Sequence, residues 1–265
     1  MEFLARAILA LGIGWLLAVG LLWLLQERLL YPAPSREIPA PEGFERRILE
    51  TSEGRLPLLV APPGPEGAVL VWFHGNGDRL GADVAIAQAA RASGHGIVLA
   101  TYPGYPGADG RPSRPRIRAA ADLVLAQAES FGRPVVLGGF SLGSAVAADL
   151  AVRRGVAGLI LISPPSSVAE VAANHVPIVP LPLVRRLLRD DWSPIADVAR
   201  LPPGRLRLVA LADPDPVVPA SQSRRVAETL GVVPIVVQDG GHAGLVQAVV
   251  ARDAVALLAR AAGAP

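Results

Sequence analysis

The chain contains no cysteine, which excludes disulfide bonds, thiolate metal sites and a cysteine nucleophile. It also contains no lysine, so arginine supplies every basic side chain, and no basic run exceeds two residues. With a net charge of +2, this pattern argues against a nucleic-acid partner. Histidine occurs only at positions 74, 95, 175 and 242. This scarcity argues against a multi-histidine metal centre and leaves four candidates for a catalytic base.

The length and composition fit a single large core with an additional segment. The chain has 265 residues, of which 51% are hydrophobic and 18% are charged. A chain of this size can bury one large core, and its length suits one domain of the α/β class plus a shorter attachment.

The additional segment is an apolar stretch near the beginning of the sequence. Residues 7–25 form 19 positions without a charge, flanked by Arg6 and Arg28. At about 1.5 Å per residue, a helix of this length spans roughly the hydrocarbon core of a bilayer. We therefore predict an uncleaved single-pass membrane anchor. A cleaved signal peptide and a buried core helix are the alternatives, although the run is long for the first and unusually apolar for the second. Arginines on both sides leave the orientation open.

The remainder of the chain alternates between strand and helix patterns. The first two predicted strands form an antiparallel pair around Glu53 and Gly54, and the continuous apolar run at residues 68–73 predicts a strand buried on both faces. Alternation of strands with helices over the rest of the chain predicts a mainly parallel, helix-covered sheet. The predicted strands are residues 46–51, 56–61, 68–73, 96–101, 134–138, 156–163, 206–212 and 233–238. The predicted helices are residues 81–92, 114–131, 142–153, 221–230 and 245–261.

A proline-rich insertion at residues 164–203 interrupts this alternation. It follows the sixth predicted strand and contains short apolar pieces. One interpretation is a lid or cap that covers an acyl-binding cleft or touches a membrane. The alternative is a segment on the protein surface without a role in substrate binding.

A serine between two glycines gives the most specific chemical signal. Ser141 stands between Gly139 and Gly143, at the junction of a predicted strand and a predicted helix. This is the pattern of a nucleophile elbow, in which glycines permit a tight turn that exposes the hydroxyl. The helix N-terminus that follows can stabilise a developing oxyanion.

A serine nucleophile needs a base and an acid later in the chain. His242 follows the last predicted strand in a Gly-Gly-His sequence, which favours it over a merely solvated histidine. Asp213 and Asp215 both follow the preceding strand, and the spacing alone does not choose between them. A carboxylate there would fix the imidazole tautomer and stabilise the imidazolium. The turn-forming role falls to the other aspartate.

An oxyanion hole requires two backbone N–H donors. Leu142, the residue after the nucleophile, is the first candidate. The second should come from the loop after the strand at residues 68–73, where His74, Gly75 and Asn76 lie. We predict the N–H of Asn76 as this donor and assign His74 a supporting role through hydrogen bonding.

These motifs together resemble the α/β-hydrolases, and more narrowly the membrane-anchored Bem46-like and ABHD-type serine hydrolases. The resemblance covers most of the chain. It includes the stretch at residues 26–32, the His-Gly-Asn at residues 74–76 and the Gly-His at residues 241–242. The acid of the family typically stands in Asp-x-x-Val-Pro, a pattern that selects Asp215 over Asp213. One departure lies at residues 102–110, where prolines replace an arginine and a glycine and alanine replaces a serine of the family pattern.

The resemblance implies an α/β-hydrolase fold, with a mainly parallel eight-stranded sheet covered by helices, an N-terminal transmembrane helix and a short lid or cap insertion. The expected organisation is an anchor and flank at residues 1–31, a linker at residues 32–44 and a hydrolase domain at residues 45–265.

The expected activity is hydrolysis of carboxylic esters or thioesters of a small or lipid-like acyl substrate, through an acyl-enzyme formed on Ser141. No metal or organic cofactor and no nucleic acid are expected, and the membrane is the expected partner of the anchor. Peptidase or amidase activity on the same triad is the first alternative, and a non-catalytic membrane scaffold is the second. The oligomeric state is not predicted.

Overall fold

An eight-stranded sheet forms the centre of the computed structural model, which describes residues 1–37, 39–81, 84–242 and 245–263. The strands are β1 (Glu45–Thr51), β2 (Gly54–Ala61), β3 (Val69–Phe73), β4 (Gly96–Ala100), β5 (Val135–Phe140), β6 (Gly158–Ile162), β7 (Leu206–Asp213) and β8 (Ile235–Gln238). Their order in the sheet is β1-β2-β4-β3-β5-β6-β7-β8. Strand β2 pairs antiparallel with β1 and β4, and every later pairing is parallel. The predicted α/β fold with a mainly parallel eight-stranded sheet is confirmed.

Helices occupy both faces of this sheet. The helices of the described residues, including those that lie away from the sheet, are α1 (Glu2–Leu30), α2 (Val84–Ala92), α3 (Arg114–Glu129), α4 (Leu142–Arg153), α5 (Val168–His175), α6 (Leu181–Leu187), α7 (Pro194–Val198), α8 (Ala220–Leu230) and α9 (Leu245–Ala261). Helices α3, α4 and α8 contribute to one buried cluster, and α2 and α9 contribute to a second cluster on the other side. Because strands β3 to β6 have apolar side chains on both faces, the sheet is buried between two helical layers. Two predicted segments, at residues 81–92 and 32–44, include positions 82, 83 and 38, which lie outside the described residues.

Strand β5 is longer than the sequence predicts, and this difference places the elbow. It continues to Phe140, because Gly139 pairs with both Phe73 and Leu161, and Phe140 pairs with Ile162. The predicted strand ended at residue 138. Because hydrogen bonding to the neighbouring strands extends β5 over Gly139 and Phe140, Ser141 follows the strand directly.

The insertion between β6 and β7 contains three short helices, α5, α6 and α7. The sequence predicted an insertion at this place, and its role as a lid stays a prediction. A small apolar cluster joins α5 and α6 around Ala169, Val179 and Val184, and it also contacts Val19 and Leu22 of α1. The insertion therefore packs against the N-terminal helix as well as against the sheet domain.

Helix α1 is long and apolar enough to cross a membrane, a test that signal sequences and core helices of soluble proteins also pass. From Trp15 onward the helix lies against the insertion, and the Trp15 indole N–H donates to the carbonyl oxygen of Ile178 at 2.8 Å. At its end, the hydroxyl of Tyr31 donates to Asp190 at 3.0 Å and accepts from the Trp192 indole at 3.0 Å. Tyr31 is buried, so this end of the helix is joined to the insertion.

Candidate active site

The backbone at Ser141 adopts a conformation that non-glycine residues rarely show. Its φ is 51° and its ψ is −115°, between the end of β5 and the start of α4. The Ser141 N–H donates to the carbonyl oxygen of Ile162 at 2.9 Å, which holds the turn against β6. Such strain persists only where the surrounding structure enforces it, and a strained strand-to-helix turn presents the serine hydroxyl above the sheet.

The two flanking glycines are required by close backbone contacts. A Cβ atom at Gly139 would overlap the carbonyl oxygen of Gly143, and a Cβ atom at Gly143 would overlap the carbonyl oxygens of Phe73 and His74. Each obstacle is backbone, which cannot move aside as a flexible side chain can. The first turn of α4 can therefore approach β3 and β5 only because both positions lack a side chain.

His242 lies between Ser141 and Asp215. Its Nε2 is 3.1 Å from the Ser141 hydroxyl oxygen, and its Nδ1 is 2.8 Å from Asp215 Oδ2. The Asp215 side chain is 1% exposed and that of His242 is 17% exposed, so both are largely shielded from water. A proton on Nδ1, bonded to the carboxylate, leaves Nε2 to accept from the serine. The structure thus brings together the three side chains that the sequence singled out.

The two aspartates that the sequence left in competition have different partners. Asp215 Oδ1 accepts the N–H groups of Val217 and Val218, each at 2.8 Å, while its Oδ2 faces His242. Asp213 instead pairs with Arg224 at 2.7 Å on the surface. Burial opposes ionisation of Asp215, but the bond with His242 and the two backbone N–H groups outweigh it and hold the pKa of Asp215 below its usual value. Its carboxylate is therefore ionised where it meets the imidazole.

The other histidines lie in different surroundings. His95 Nδ1 accepts the N–H of Ala68 at 3.2 Å. His175, at the end of α5, bonds through Nδ1 to the carbonyl oxygen of Val171 at 2.9 Å. Neither shares a hydrogen bond with Ser141 in the part of the chain that the structure describes, so His242 is the base that the geometry favours.

Phe140 is a site residue that sequence reasoning missed. Its ring lies 4.9 Å from the His242 ring, with 37° between the two planes. The residue between glycine and serine in the elbow motif is variable in type, so the motif itself gives no signal for this contact. An aromatic ring at the end of β5 limits the positions of the imidazole, because the two rings pack against each other.

The loop after β3 is held by an aromatic group. His74 Nδ1 bonds to the carbonyl oxygen of Gly75 at 2.8 Å, and the Tyr102 hydroxyl donates to the carbonyl oxygen of His74 at 2.7 Å. The Tyr105 hydroxyl donates to Asn76 Oδ1 at 3.3 Å, and burial raises the pKa of Tyr105. These contacts agree with a supporting place for His74.

Both tyrosines belong to the segment at residues 102–110 that departs from the family pattern. Their rings lie 5.2 Å apart, and the His74 ring lies 4.4 Å from Tyr102. The substituted prolines and alanine therefore leave the aromatic support of the His74 loop in place. Sequence reasoning did not assign the two tyrosines this part.

The predicted donors lie at the expected places in the fold. Leu142 opens α4 directly after Ser141, and Asn76 lies in the loop after β3, the strand that pairs with β5. Across the residues that the structure describes, no group of three or more histidine, aspartate or glutamate side chains is arranged to hold a metal ion. The arrangement that is present is suited to proton transfer from a hydroxyl and to nucleophilic attack by that oxygen.

The strand order, the strained serine turn and the insertion between β6 and β7 define the class of α/β hydrolases. A model of the alpha/beta hydrolase family matches residues 68–200. An uncharacterized protein of Mycobacterium tuberculosis is 36% identical over 215 residues, covering 75% of this chain and 73% of the relative. The chain belongs to the alpha/beta hydrolase family.

Solved structures show the same fold at low sequence identity. An alpha-beta serine hydrolase homologue from Coxiella burnetii aligns with a TM-score of 0.59 and 18% identity, covering 85% of this chain and 99% of the other. The Pyrococcus furiosus esterase Pf2001 aligns with a TM-score of 0.65 and 14% identity, covering 86% and 98%. Both likenesses concern the fold.

Proposed function

We propose that this protein is a membrane-anchored serine hydrolase that cleaves carboxylic esters or thioesters of acyl substrates. The observation that carries the proposal is the continuous hydrogen-bonded series from Ser141 through His242 to Asp215, with separations of 3.1 and 2.8 Å. A strained turn that presents the serine and a buried carboxylate behind the imidazole support the same chemistry. The narrower placement among Bem46-like and ABHD-type hydrolases rests on the sequence motifs.

The first half of the reaction transfers the acyl group to the enzyme. His242 Nε2 accepts the hydroxyl proton as Ser141 Oγ attacks the acyl carbonyl carbon, and a tetrahedral oxyanion forms. When the bond to the leaving alcohol or thiol breaks, His242 returns the proton to it. In the second half, His242 takes a proton from water, the resulting hydroxide attacks the acyl-enzyme, and the acid is released with the proton restored to Ser141.

Two sets of groups stabilise the charges that form. Asp215, whose lowered pKa keeps it ionised, offsets the positive charge on His242. The backbone N–H groups of Leu142 and Asn76 are the proposed donors to the oxyanion, and the N-terminus of α4 adds a favourable dipole. Removing one such donor typically lowers kcat by about 10²-fold to 10³-fold.

The membrane part of the proposal rests on α1. Its residues 7–25 are uncharged, and it contacts the insertion through Trp15 and, just after its end, through Tyr31. Such packing can persist only in a protein that keeps α1, so retention of the helix is part of the proposal. The full-length protein should remain with vesicles after carbonate washing and flotation. Recovery of the full-length chain in the wash supernatant would contradict the anchor.

Labelling with a fluorophosphonate probe tests the nucleophile. The wild type should be labelled, Ser141→Ala should not be, and Ser130→Ala should be labelled like the wild type because Ser130 lies on the surface at the end of α3. An unlabelled but folded wild type would contradict the hydrolase proposal and favour a scaffold.

A substrate panel tests the bond that is cleaved. p-Nitrophenyl esters and acyl thioesters are compared with peptide amides, using Ser141→Ala as the blank. We expect turnover of the esters or thioesters. Turnover of amides alone would replace the esterase proposal with a peptidase or amidase.

A further inference from the structure

An apolar cavity of about 470 Å³ lies between the N-terminal helix α1 and the insertion helices α5 and α6. Its size falls in the range of about 300–1,000 Å³ that is usual for small-molecule sites. Hydrophobic side chains form most of its wall, and the polar residues among those that line it are Gln26, Asn76 and His175. A cavity of this character suits an alkyl chain rather than a polar ligand.

One face of α1 contributes a wall of this cavity. Val19, Leu22, Gln26 and Leu30 line it, at spacings of three and four residues that place them on the same side of a helix. Leu21 lies outside this set and is exposed. The helix thus has a cavity face and an outward face.

Polar contacts hold this wall in position. The Gln26 side-chain amide donates to the carbonyl oxygen of Trp23 at 2.8 Å, and its oxygen accepts the backbone N–H of Arg189 at 2.8 Å. The Arg189 guanidinium also lies over the Trp23 ring, 4.2 Å from its centre. Since the Gln26 amide already has these hydrogen-bond partners, an apolar ligand in the cavity would not leave it without a partner. The two contacts with Arg189 fasten α1 to the segment after α6.

The cavity also borders the candidate active site. Asn76, which carries one proposed oxyanion donor, lines it, and so does Val217, whose N–H donates to Asp215. These two residues come from the loops that carry the proposed oxyanion donor and Asp215. The side of the cavity that Asn76 and Val217 line is therefore the side that faces the candidate active site.

We propose that this cavity binds the acyl chain of the substrate and that α1 forms one wall of the acyl site. This inference rests on the proposed hydrolase function and specifies its substrate class, namely esters or thioesters of extended aliphatic acids. The N-terminal helix then selects the substrate by chain length, in addition to attaching the protein to a membrane.

A chain-length series measures this selection. With p-nitrophenyl acetate, butyrate, octanoate and laurate, kcat/KM of the full-length wild type should rise by about fourfold for each methylene that enters the cavity, until the cavity is full. All assays use the same detergent at the same concentration, so that partitioning of the substrates is common to every variant.

Two matched pairs of variants test the walls. Leu22→Trp fills the cavity from α1, and Leu21→Trp adds the same bulk on the outward face. Ala172→Trp fills it from α5, and Asn174→Trp is its exposed control. Each cavity variant should lower the laurate-to-acetate ratio of kcat/KM by about fifteenfold or more, the effect of excluding roughly two methylenes. The controls should keep the wild-type ratio, and because a ratio is compared, a general loss of activity does not imitate the result.

The outcomes separate this inference from the function on which it rests. A wild type that is labelled at Ser141 but shows no rise with chain length overturns the acyl site and leaves the hydrolase in place. Cavity variants with the wild-type ratio, or controls that lose it equally, also overturn the acyl site. A wild type that is neither labelled nor active on any ester overturns the proposed function itself.

Discussion

Replacing Asp215 by asparagine should impair the enzyme through the direction in which the new amide must face. Asp215 Oδ1 accepts two backbone N–H groups, from Val217 and Val218, and only Oδ2 meets His242. In Asp215→Asn the amide oxygen takes the place of Oδ1, because that place faces two donors. The amide NH₂ then faces His242 Nδ1, which must become an acceptor, so the proton moves to Nε2. An imidazole in this tautomer cannot accept the proton of Ser141.

The size of the loss in kcat follows from the free-energy cost of turning the new amide to the opposite orientation. Turning the amide so that its oxygen faces His242 leaves two N–H groups without an acceptor, at about 1–3 kcal/mol each. Since about 1.4 kcal/mol corresponds to a tenfold change in rate, a total of about 2–6 kcal/mol lowers kcat by roughly 30-fold to 10⁴-fold. The upper limit matches the loss of about 10⁴-fold known for this substitution in the Ser-His-Asp template.

The neighbouring aspartate supplies a matched control. Asp213→Asn makes the same chemical change two residues away, where the carboxylate pairs with Arg224 at the surface. A surface ion pair contributes at most about 1 kcal/mol to stability, and kcat should keep its wild-type value. The assay is kcat on a short-chain p-nitrophenyl ester, together with the rate of fluorophosphonate labelling. The reasoning is refuted if Asp215→Asn retains more than roughly a tenth of the wild-type kcat, or if Asp213→Asn loses as much as Asp215→Asn.

Other predictions concern stability and the elbow. Burial, and to a smaller extent the carboxylate of Asp149, raises the pKa of Asp197 from 3.8 to about 6. The folded state therefore binds this proton more tightly than the unfolded state, and the protein loses stability as the pH rises through this interval. Asp197→Asn should therefore raise the free energy of unfolding at neutral pH by about 2–3 kcal/mol and leave it unchanged near pH 3. Denaturant titrations at the two pH values measure this difference. An equal stabilisation at both pH values would contradict the prediction. Gly143→Ala should abolish fluorophosphonate labelling because its Cβ overlaps the backbone at the end of β3, whereas Gly155→Ala has room and should be labelled normally; equal labelling of both would refute the close approach. Tyr31→Phe should lower the free energy of unfolding by about 1–3 kcal/mol, measured by the same titrations, because the Trp192 indole loses its acceptor, and a variant as stable as the wild type would show that this bond is not needed.

The sequence was sufficient to predict the parts of the fold that follow from apolar runs and turn residues. Helix α4 has the predicted bounds, because Ser141 and Gly143 specify a strand-to-helix turn and an alanine-rich segment follows. The predicted end of β5 was wrong by two residues, because pairing with β3 and β6 extends the strand beyond what the local sequence indicates.

The site required information that spacing does not contain. Asp213 and Asp215 are equivalent by distance along the chain, and only the resemblance preferred Asp215 before the structure showed the Val217 and Val218 donors around it. The contact of Phe140 with His242 joins residues about a hundred positions apart, so no local pattern reveals it. The packing of α1 against the insertion was likewise not predictable, because an apolar run has the same composition whether lipid or protein covers it.

The position of the bond between Trp15 and Ile178 has a consequence for how substrate is supplied. Trp15 lies near the middle of the apolar run at residues 7–25, and residues 2–14 before it span only about 20 Å, less than the hydrocarbon core of about 30 Å. If α1 crosses the bilayer as proposed, the exposed Ile178 edge of the insertion must also lie within it, and the cavity beside Val19 and Leu22 lies at the depth of the lipid acyl chains. Substrate then arrives by lateral diffusion within a leaflet. The turnover rate should follow the mole fraction of substrate in the membrane rather than its concentration in water.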